Sequence, residues 1–337
     1  MTLVCVYRSC AGVSFILASH SGTPWDRKQS GIVPRLHELL AAENGVCRSR
    51  GVLAVAGDVQ VGARAVVSAQ ARWSRQASSN EITVAELARI AAACFLDEIG
   101  RAIDRRLRGC YGFTRAEFVR GTFVNEGEEI PINQPCVRAA AEAAIAGRDQ
   151  DPELSFLYNN RFIVLGSDID GETHCWLWEQ PAAQPCSAAG VWLAWGDGRE
   201  TVRANSWWRA NQTGLAECAE PTLVSLYLID AVRQAVGWNC PIDVAILRPN
   251  RNGWSDLALA TGNAALLLVN ISLAMHRGLV PPEVASLCAE NILHNPHKWN
   301  EIERTYRSAP IATELFDLTA RGYHGELLSS LSLLSGR

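Results

Sequence analysis

Three short segments of this chain are almost continuously apolar: Thr2–Tyr7, Val52–Ala56 and Phe162–Leu165. Strands that face solvent on one side alternate apolar and polar residues, whereas strands covered on both faces stay apolar along their length. A sheet that contains these segments must therefore be buried on both sides, and each side requires its own layer of packed structure. This requirement limits the fold more than any other feature of the sequence.

The first twenty residues contain two apolar runs, Met1–Arg8 and Gly12–His20, joined by a few small residues. Both are rich in residues that favour strands, which predicts a β-hairpin at the start of the chain. Removal of Met1 would leave Thr2 as the terminal residue, with its hydroxyl beside a free α-amine. These two groups can serve as nucleophile and base, because a threonine hydroxyl needs a nearby proton acceptor at neutral pH.

Strands and helices follow this hairpin in a regular order. A polar loop and a short amphipathic stretch around Val33–Leu40 come first. The segment Val46–Ala56 then predicts a strand that ends in a glycine turn. The next segment, Val61–Arg75, has apolar residues at the spacing of an amphipathic helix.

A second helix is expected over Thr83–Arg108, where Thr83 and Glu86 have the spacing of a capping box. The later part of the chain returns to strands. Further elements are a helix at Thr222–Val236 and strands at Phe156–Tyr158, Phe162–Gly166, His174–Trp178, Gly190–Trp195 and Ile242–Leu247.

Two antiparallel sheets packed together, with helices outside, satisfy this order of elements. The sequence therefore predicts an α+β fold, a four-layer αββα sandwich with an inserted segment and a helical C-terminal extension. The inserted segment, Gly109–Glu153, has one alanine-rich helix, Val137–Ala146, and is otherwise irregular. The predicted core covers residues 1–256, and residues 257–337 form the extension.

The run Leu257–Met275 carries no charge and is nearly long enough to cross a bilayer. Polar residues interrupt it, so a buried helix, or a strand followed by a helix, is favoured over a membrane span. From about Leu257 onward the chain is expected to be mainly helical.

Composition excludes several classes of function. The net charge of -4 gives no excess of positive charge with which to bind nucleic acid. No secretory signal or membrane span is expected. Eleven scattered cysteines, none in a C-x-x-C pair, favour reduced thiols in the cytoplasm over disulfides or zinc. His294 and His297 would need a third ligand and a helix to hold a metal, whereas Pro296 favours a turn. We therefore expect a cytoplasmic protein with no metal and no other cofactor.

Six of the eleven tryptophans lie between Trp176 and Trp208. His174, Trp176 and Trp178 share one strand face, because side chains alternate along a strand. Two interpretations stay open: a wall that binds an apolar or aromatic ligand, or residues of the core or of a subunit interface.

Several motifs occur in an order typical of one family. They are Met1–Val4 with Gly12 and Val13, the strand-glycine turn Val52–Gly57, the hairpin turn Gly166–Gly171 before Trp176, the turn Gly196–Gly198, and Val236–Gly237 before Pro241–Val244. In this order the chain resembles the proteasome β-subunit branch of the N-terminal-nucleophile (Ntn) hydrolases, over about residues 1–108 and 156–256. The resemblance implies the αββα sandwich, a homo-oligomer, and a peptide or small-molecule ligand.

The resemblance also assigns candidate site residues. Family members use the terminal threonine as nucleophile and its α-amine as base. A lysine and an aspartate tune that pair, and a backbone N–H at the glycine turn stabilises the oxyanion. By position, Thr2 is the candidate nucleophile and Gly57 the candidate oxyanion donor. Ser19, followed by His20, occupies the position of the aspartate.

This sequence departs from the family pattern in its charged residues. The lysine expected before the Val52 strand is replaced by Glu43-Asn44-Gly45, and the chain has only two lysines, Lys28 and Lys298. The later Asp-x-x-Ser pattern is replaced by Gly237–Cys240. An arginine cannot substitute for a lysine that shares a proton, because the pKa of arginine stays above about 12. Aspartates at glycine turns, among them Asp58, Asp168 and Asp197, are expected to form those turns.

Two functions follow from these observations. The first is a divergent proteasome-like protein without standard peptidase activity, which acts as an assembly or ligand-binding scaffold. The alternative is a threonine-type amide hydrolase in which Thr2 attacks a carbonyl and forms an acyl-enzyme.

Overall fold

The structure is a computed structural model, and it describes residues 3–8, 14–19, 35–43, 46–57, 59–76, 83–146, 160–168, 172–179, 186–187, 192–196, 199–205, 221–236, 241–249 and 255–308. Some segments that the sequence singles out lie outside these residues. They include Thr2, His20, Asp58, Phe156–Tyr158, Asp197, Trp208 and Gly237–Cys240, so the expected turns at Asp58 and Asp197 stay predictions.

One sheet contains the opening hairpin. Its strands are β1 (Leu3–Arg8), β2 (Ser14–Ser19), β10 (Trp192–Gly196), β11 (Ile242–Pro249) and β12 (Ser255–Ala260). Their order across the sheet is β10–β1–β2–β11–β12, and every neighbouring pair is antiparallel. The pairing of β1 with β2 confirms the predicted hairpin.

The second sheet has strands from the middle of the chain. They are β3 (Leu36–Glu43), β4 (Val46–Ala56), β7 (Arg161–Ser167), β8 (Thr173–Glu179) and β9 (Cys186–Ser187). Their order is β3–β4–β7–β8–β9, again antiparallel throughout. A separate hairpin pairs β5 (Thr122–Asn125) with β6 (Glu128–Pro131).

Successive residues of the central strands are buried in different layers. Val4 of β1 and Val52 of β4 lie in one apolar cluster, which fills the space between the two sheets. Their neighbours Leu3 and Leu53 belong to two other clusters, one on the outer face of each sheet. This double burial explains why these strands are apolar at every position.

Helices cover both outer faces. They are α1 (Val59–Gln76), α2 (Val84–Tyr111), α3 (Arg115–Arg120), α4 (Pro135–Ile145), α5 (Pro221–Val236), α6 (Gly262–His276), α7 (Pro282–His294) and α8 (Trp299–Ser308). α1, α2 and α4 contribute to the cluster outside the second sheet, and α5, α6 and α7 to the cluster outside the first. The predicted α+β fold, an αββα sandwich, is confirmed by this order of layers.

The start of α2 is capped by two side chains. The Thr83 hydroxyl accepts a hydrogen bond from the Glu86 N–H (3.2 Å), which confirms the predicted N-cap. An oxygen of Asp168 accepts from the Val84 N–H (2.6 Å), while the Asp168 N–H donates to the Glu172 carbonyl (3.0 Å). Asp168 therefore forms the turn that the sequence predicts and also connects the β7–β8 turn to α2.

Trp178 belongs to the core. Its side chain is fully buried, with its ring 5.2 Å from that of Phe162 and 5.9 Å from that of Phe95. Trp176 is partly buried and packs against the same cluster. Of the two interpretations of this strand face, the structure favours the core, because both rings are held by neighbouring aliphatic and aromatic side chains.

The segment after residue 109 is more regular than the sequence predicts. Gly109 lies inside α2, and α3, the β5–β6 hairpin and α4 follow in order. The start of α3 has a capping box in which the Thr114 N–H donates to the Glu117 carboxylate (2.7 Å). Glu126 and Gly127 have φ values of 51° and 87°, which closes the two-residue turn of the hairpin. The sequence does not predict these elements because they are short and are defined by capping and turn residues, whereas hydrophobic periodicity in this segment is weak.

The chain after residue 254 continues the first sheet before it becomes helical. The predicted boundary at residue 256 falls inside β12, which pairs with β11. The alternative of a strand followed by a helix for Leu257–Met275 is confirmed by β12 and α6. Among the described helices, none is both long and apolar enough to cross a membrane.

Replacing Gly51 with alanine is expected to lower the free energy of unfolding by about 1 to 3 kcal/mol, the usual cost of overpacking an interior. An added Cβ would overlap the carbonyl oxygen of Leu165 and lie 3.0 Å from the Cα of Gly166. At Gly109 an added Cβ would meet nothing within 4 Å, so Gly109→Ala should be neutral or stabilise by up to about 1 kcal/mol. Urea unfolding followed by circular dichroism measures both variants, and equal effects would contradict the expectation.

Six cysteines whose side chains the structure describes are free thiols of two kinds. Cys5, Cys94, Cys175 and Cys288 are buried, whereas Cys110 and Cys136 are exposed. Burial of the Cys5 thiol, in β1, raises its pKa to about 12. Its thiolate is therefore scarce at any pH below that value.

Alkylation of the native protein at mildly alkaline pH should reach Cys110 and Cys136 first and leave Cys5 unmodified. The reason is that the thiolate is the reactive form and requires exposure. Peptide mass spectrometry after timed iodoacetamide treatment measures the order of labelling. The urea-unfolded protein is the control, in which all three thiols should react at similar rates.

Candidate functional site

The candidate site lies where both sheets end, next to the start of β1. Leu3 begins β1, Ser19 ends β2, and Ser19 lies opposite Ile242 at the start of β11. From the other sheet, Gly57 follows β4, and Arg35 precedes β3. Antiparallel pairing brings the start of β3 beside the end of β4, where the Val55 N–H donates to the Arg35 carbonyl (2.9 Å).

Ser19 is fully buried, and its hydroxyl oxygen accepts a hydrogen bond from the Leu3 N–H (3.0 Å). This bond fixes the backbone of the residue that follows Thr2 in the chain. A hydroxyl carries no charge, so Ser19 can orient the start of β1 but cannot supply the negative charge of an aspartate. Thr2 itself is outside the described residues, and its role as nucleophile stays a prediction.

Gly57 forms the strand-glycine-helix turn that the sequence predicts, between β4 and α1. Its backbone φ of 114° is a value that residues other than glycine rarely adopt. Its carbonyl oxygen lies 3.5 Å from the Nη1 of Arg35, which donates to it. The role of its N–H as an oxyanion donor stays a prediction.

Arg35 is a site residue that sequence reasoning did not find. It is 7% exposed, and its backbone N–H donates to an oxygen of the Asp243 side chain (3.1 Å). Among the described residues the only lysine is Lys298, in the 3₁₀ turn Pro296–Lys298. The sequence comparison expects the family's lysine near Glu43. Glu43 is the last residue of β3, so it lies at the opposite end of that strand from Arg35.

The signal for Arg35 was present in the sequence. Arg35 directly precedes Leu36, the first residue of β3, a segment for which the sequence predicts only an amphipathic stretch. Once two adjacent strands are known to form a hairpin, the residue before the first strand must lie near the end of the second. The position beside Gly57 is therefore the one before β3 and not the one before β4.

Asp243 connects the two sheets at this end. It lies on β11 of the first sheet, is 4% exposed, and accepts its hydrogen bond from Arg35, at the start of the second sheet. Burying a carboxylate is costly unless hydrogen bonds and nearby positive charge compensate. The guanidinium of Arg35 stays protonated, so this group can attract a carbonyl or an anion but cannot take a proton from a hydroxyl.

Comparison with known proteins gives limited information. No protein-family model matches the chain, and no curated protein matches it. Solved structures with a similar fold include one titled as the Gly-1 mutant of Anbu from Hyphomicrobium sp. strain MC1. It is 14% identical to this chain with a TM-score of 0.46, over 82% of this chain and 96% of that one. Values this low support no inference about function.

Ser19→Ala is expected to lower the free energy of unfolding by about 1 to 3 kcal/mol, because it leaves the buried Leu3 N–H without its acceptor. Ser74→Ala is the matched control, since its hydroxyl bonds the Gln70 carbonyl on the exposed face of α1. That change should shift stability by less than about 0.5 kcal/mol. Thermal and urea unfolding measure both variants. A Ser19→Ala protein as stable as the Ser74→Ala protein would show that the Leu3 bond is dispensable.

Proposed function

We propose that this protein is a divergent proteasome-like protein that acts as an assembly or ligand-binding scaffold and lacks standard threonine-peptidase activity. The observation that carries the proposal is the buried guanidinium of Arg35 beside the Gly57 turn. In the family that the sequence resembles, a lysine tunes the proton of the terminal threonine. A guanidinium cannot exchange a proton with the threonine in this way, because it does not release its proton near neutral pH.

Ser19 supports the same conclusion. It occupies the position where the resemblance implies an aspartate, and its hydroxyl is already engaged by the Leu3 N–H. Its side chain therefore stabilises the start of β1 and adds no negative charge next to Thr2. Without that carboxylate and without a titratable lysine, the two groups that would tune the threonine–amine pair are both absent from the described part of the site.

The same groups suit binding. A fixed positive charge attracts the carbonyl or carboxylate groups of a peptide or small-molecule ligand. Homo-oligomeric assembly in the cytoplasm is part of the proposal and follows from the resemblance and the composition. Light scattering coupled to size-exclusion chromatography measures the assembly directly.

A β-lactone that acylates terminal threonines distinguishes scaffold from hydrolase. We expect intact-mass spectrometry to find no adduct on the wild-type protein, because Ser19 stands at the position of the aspartate and the lysine among the described residues, Lys298, is not in the site. An active threonine peptidase treated in parallel is the control for the reagent. One adduct that maps to Thr2 and disappears in Thr2→Ala would overturn the scaffold proposal.

The Arg35→Lys variant tests whether the guanidinium of Arg35 is the reason that Thr2 does not react with the β-lactone. A lysine at this position can share a proton, so this variant should react with the β-lactone more than the wild type does. Arg64→Lys is the matched control, since Arg64 is exposed on α1. Equal reactivity of both variants would assign the loss of activity to another position, with Ser19 the next one to change.

The alternative function, a threonine-type amide hydrolase, has one observation in its favour. The Leu3 N–H is held by a buried hydroxyl, so the residue next to Thr2 is fixed in position, as a nucleophile requires. The α-amine of a terminal threonine can itself act as the base. The β-lactone experiment therefore decides between the two functions.

A further inference from the structure

The β5–β6 hairpin has an inner and an outer face. Phe123 lies on the inner face, with its ring 5.8 Å from that of Phe113 at the end of α2. Val124, the next residue, lies on the outer face opposite Glu129 and is 63% exposed. The exposure of Val124 shows that no described element covers this part of the outer face.

The exposed end of the hairpin is acidic. Glu126, Glu128 and Glu129 are all exposed at this end: Glu129 lies opposite Val124 on the outer face, Glu126 lies in the turn, and Glu128 lies opposite Asn125 on the other face. Among the described residues, none of these three carboxylates pairs with a cationic side chain; Glu129 accepts a hydrogen bond from the Thr122 hydroxyl (2.6 Å). We refer to Val124, Glu126, Glu128 and Glu129 as the hairpin surface.

A basic stripe of similar size lies on α2 of the same chain. Arg101, Arg105 and Arg108 are exposed, and their i, i+4, i+7 spacing sets them on one side of the helix over about 10 Å. Arg101 pairs with Glu98 of the same helix. In the described part of the chain neither Arg105 nor Arg108 forms an ion pair, although the charge of Arg108 acts on the nearby carboxylates of Asp104 and Glu117. We refer to these three arginines as the arginine stripe.

We propose that the hairpin surface of one copy of this chain docks on the arginine stripe of a second copy. The two surfaces have opposite charge and comparable length, and they form no ion pair with each other within one chain. Opposite charges select the partner and the orientation, while Val124 adds apolar area to the contact. Because every copy carries both surfaces, the contact can repeat from copy to copy. The proposal rests on the assembly function proposed above and identifies one surface that would carry it.

Charge reversal tests this contact. The hairpin variant carries Glu126→Lys and Glu128→Lys, the stripe variant carries Arg105→Glu and Arg108→Glu, and the swapped variant carries all four changes. Each of the first two should weaken self-association at least about tenfold, because like charges then face each other. The swapped variant should regain the wild-type association within a few fold, since the charges are again complementary.

The measurement is light scattering coupled to size-exclusion chromatography at about 50 mM and about 500 mM salt, because salt screens exposed charges. Glu142→Lys with Glu301→Lys is the matched control: both residues are exposed, outside the two surfaces, and the change in net charge equals that of the hairpin variant. Circular dichroism and thermal unfolding of every variant check that it is folded.

The outcomes separate this contact from the proposed function. A wild-type oligomer that the hairpin and stripe variants leave intact would overturn the contact but not the scaffold function. A swapped variant that stays dissociated, although folded, would also overturn it. A wild-type protein that is monomeric at both salt concentrations would contradict the contact and the homo-oligomer together. If the hairpin surface instead binds a basic peptide of another protein, the purified wild type would be monomeric, and this result would overturn the contact between copies.

Discussion

Burial of both faces of each central strand is the constraint on which this structure depends. Leu3 and Val4 are neighbours in β1, yet one packs against helices and the other against the opposite sheet. Strands of this kind are stable only when a layer covers each face of their sheet, because each face loses contact with water only if another layer covers it. Here the two sheets cover each other inside and helices cover them outside, which gives four layers. The helices outside and the sheet-to-sheet contact inside are two consequences of the same requirement.

The candidate site forms where those layers end and polar groups can enter. Arg35 and Asp243 come from different sheets, and the hydrogen bond between them joins the sheets at this edge. Gly57 and Ser19 hold the nearby backbone, one through its left-handed φ and the other through the Leu3 N–H. Arg35, Asp243, Gly57 and Ser19 each make a hydrogen bond in the structure, and Arg35 carries a fixed positive charge.

The segment after residue 109 adds surface to the sandwich. Phe113 and Ile132 enter the core cluster outside the second sheet, which anchors the hairpin at the end of α2. The exposed end of the hairpin then presents carboxylates and a valine to solvent, while α2 presents arginines. A surface with both signs of charge on one chain is suited to contacts between copies, since association depends on complementary charge more than on total charge.

Much of the fold could be predicted from the sequence, because hydrophobic periodicity is a local property. The opening hairpin, the strand Val46–Ala56 and helix α2 with its Thr83 cap follow from residues close together in the chain. The sequence does not predict the β5–β6 hairpin, since turn residues rather than a long apolar pattern define it, and it predicts β12 only as one of two alternatives, since pairing with β11 decides that strand. Arg35 became a site residue only through the pairing of β3 with β4 and the approach of Asp243 from the other sheet. Contacts between residues more than 200 positions apart are decided by how the layers pack, and no local pattern encodes them.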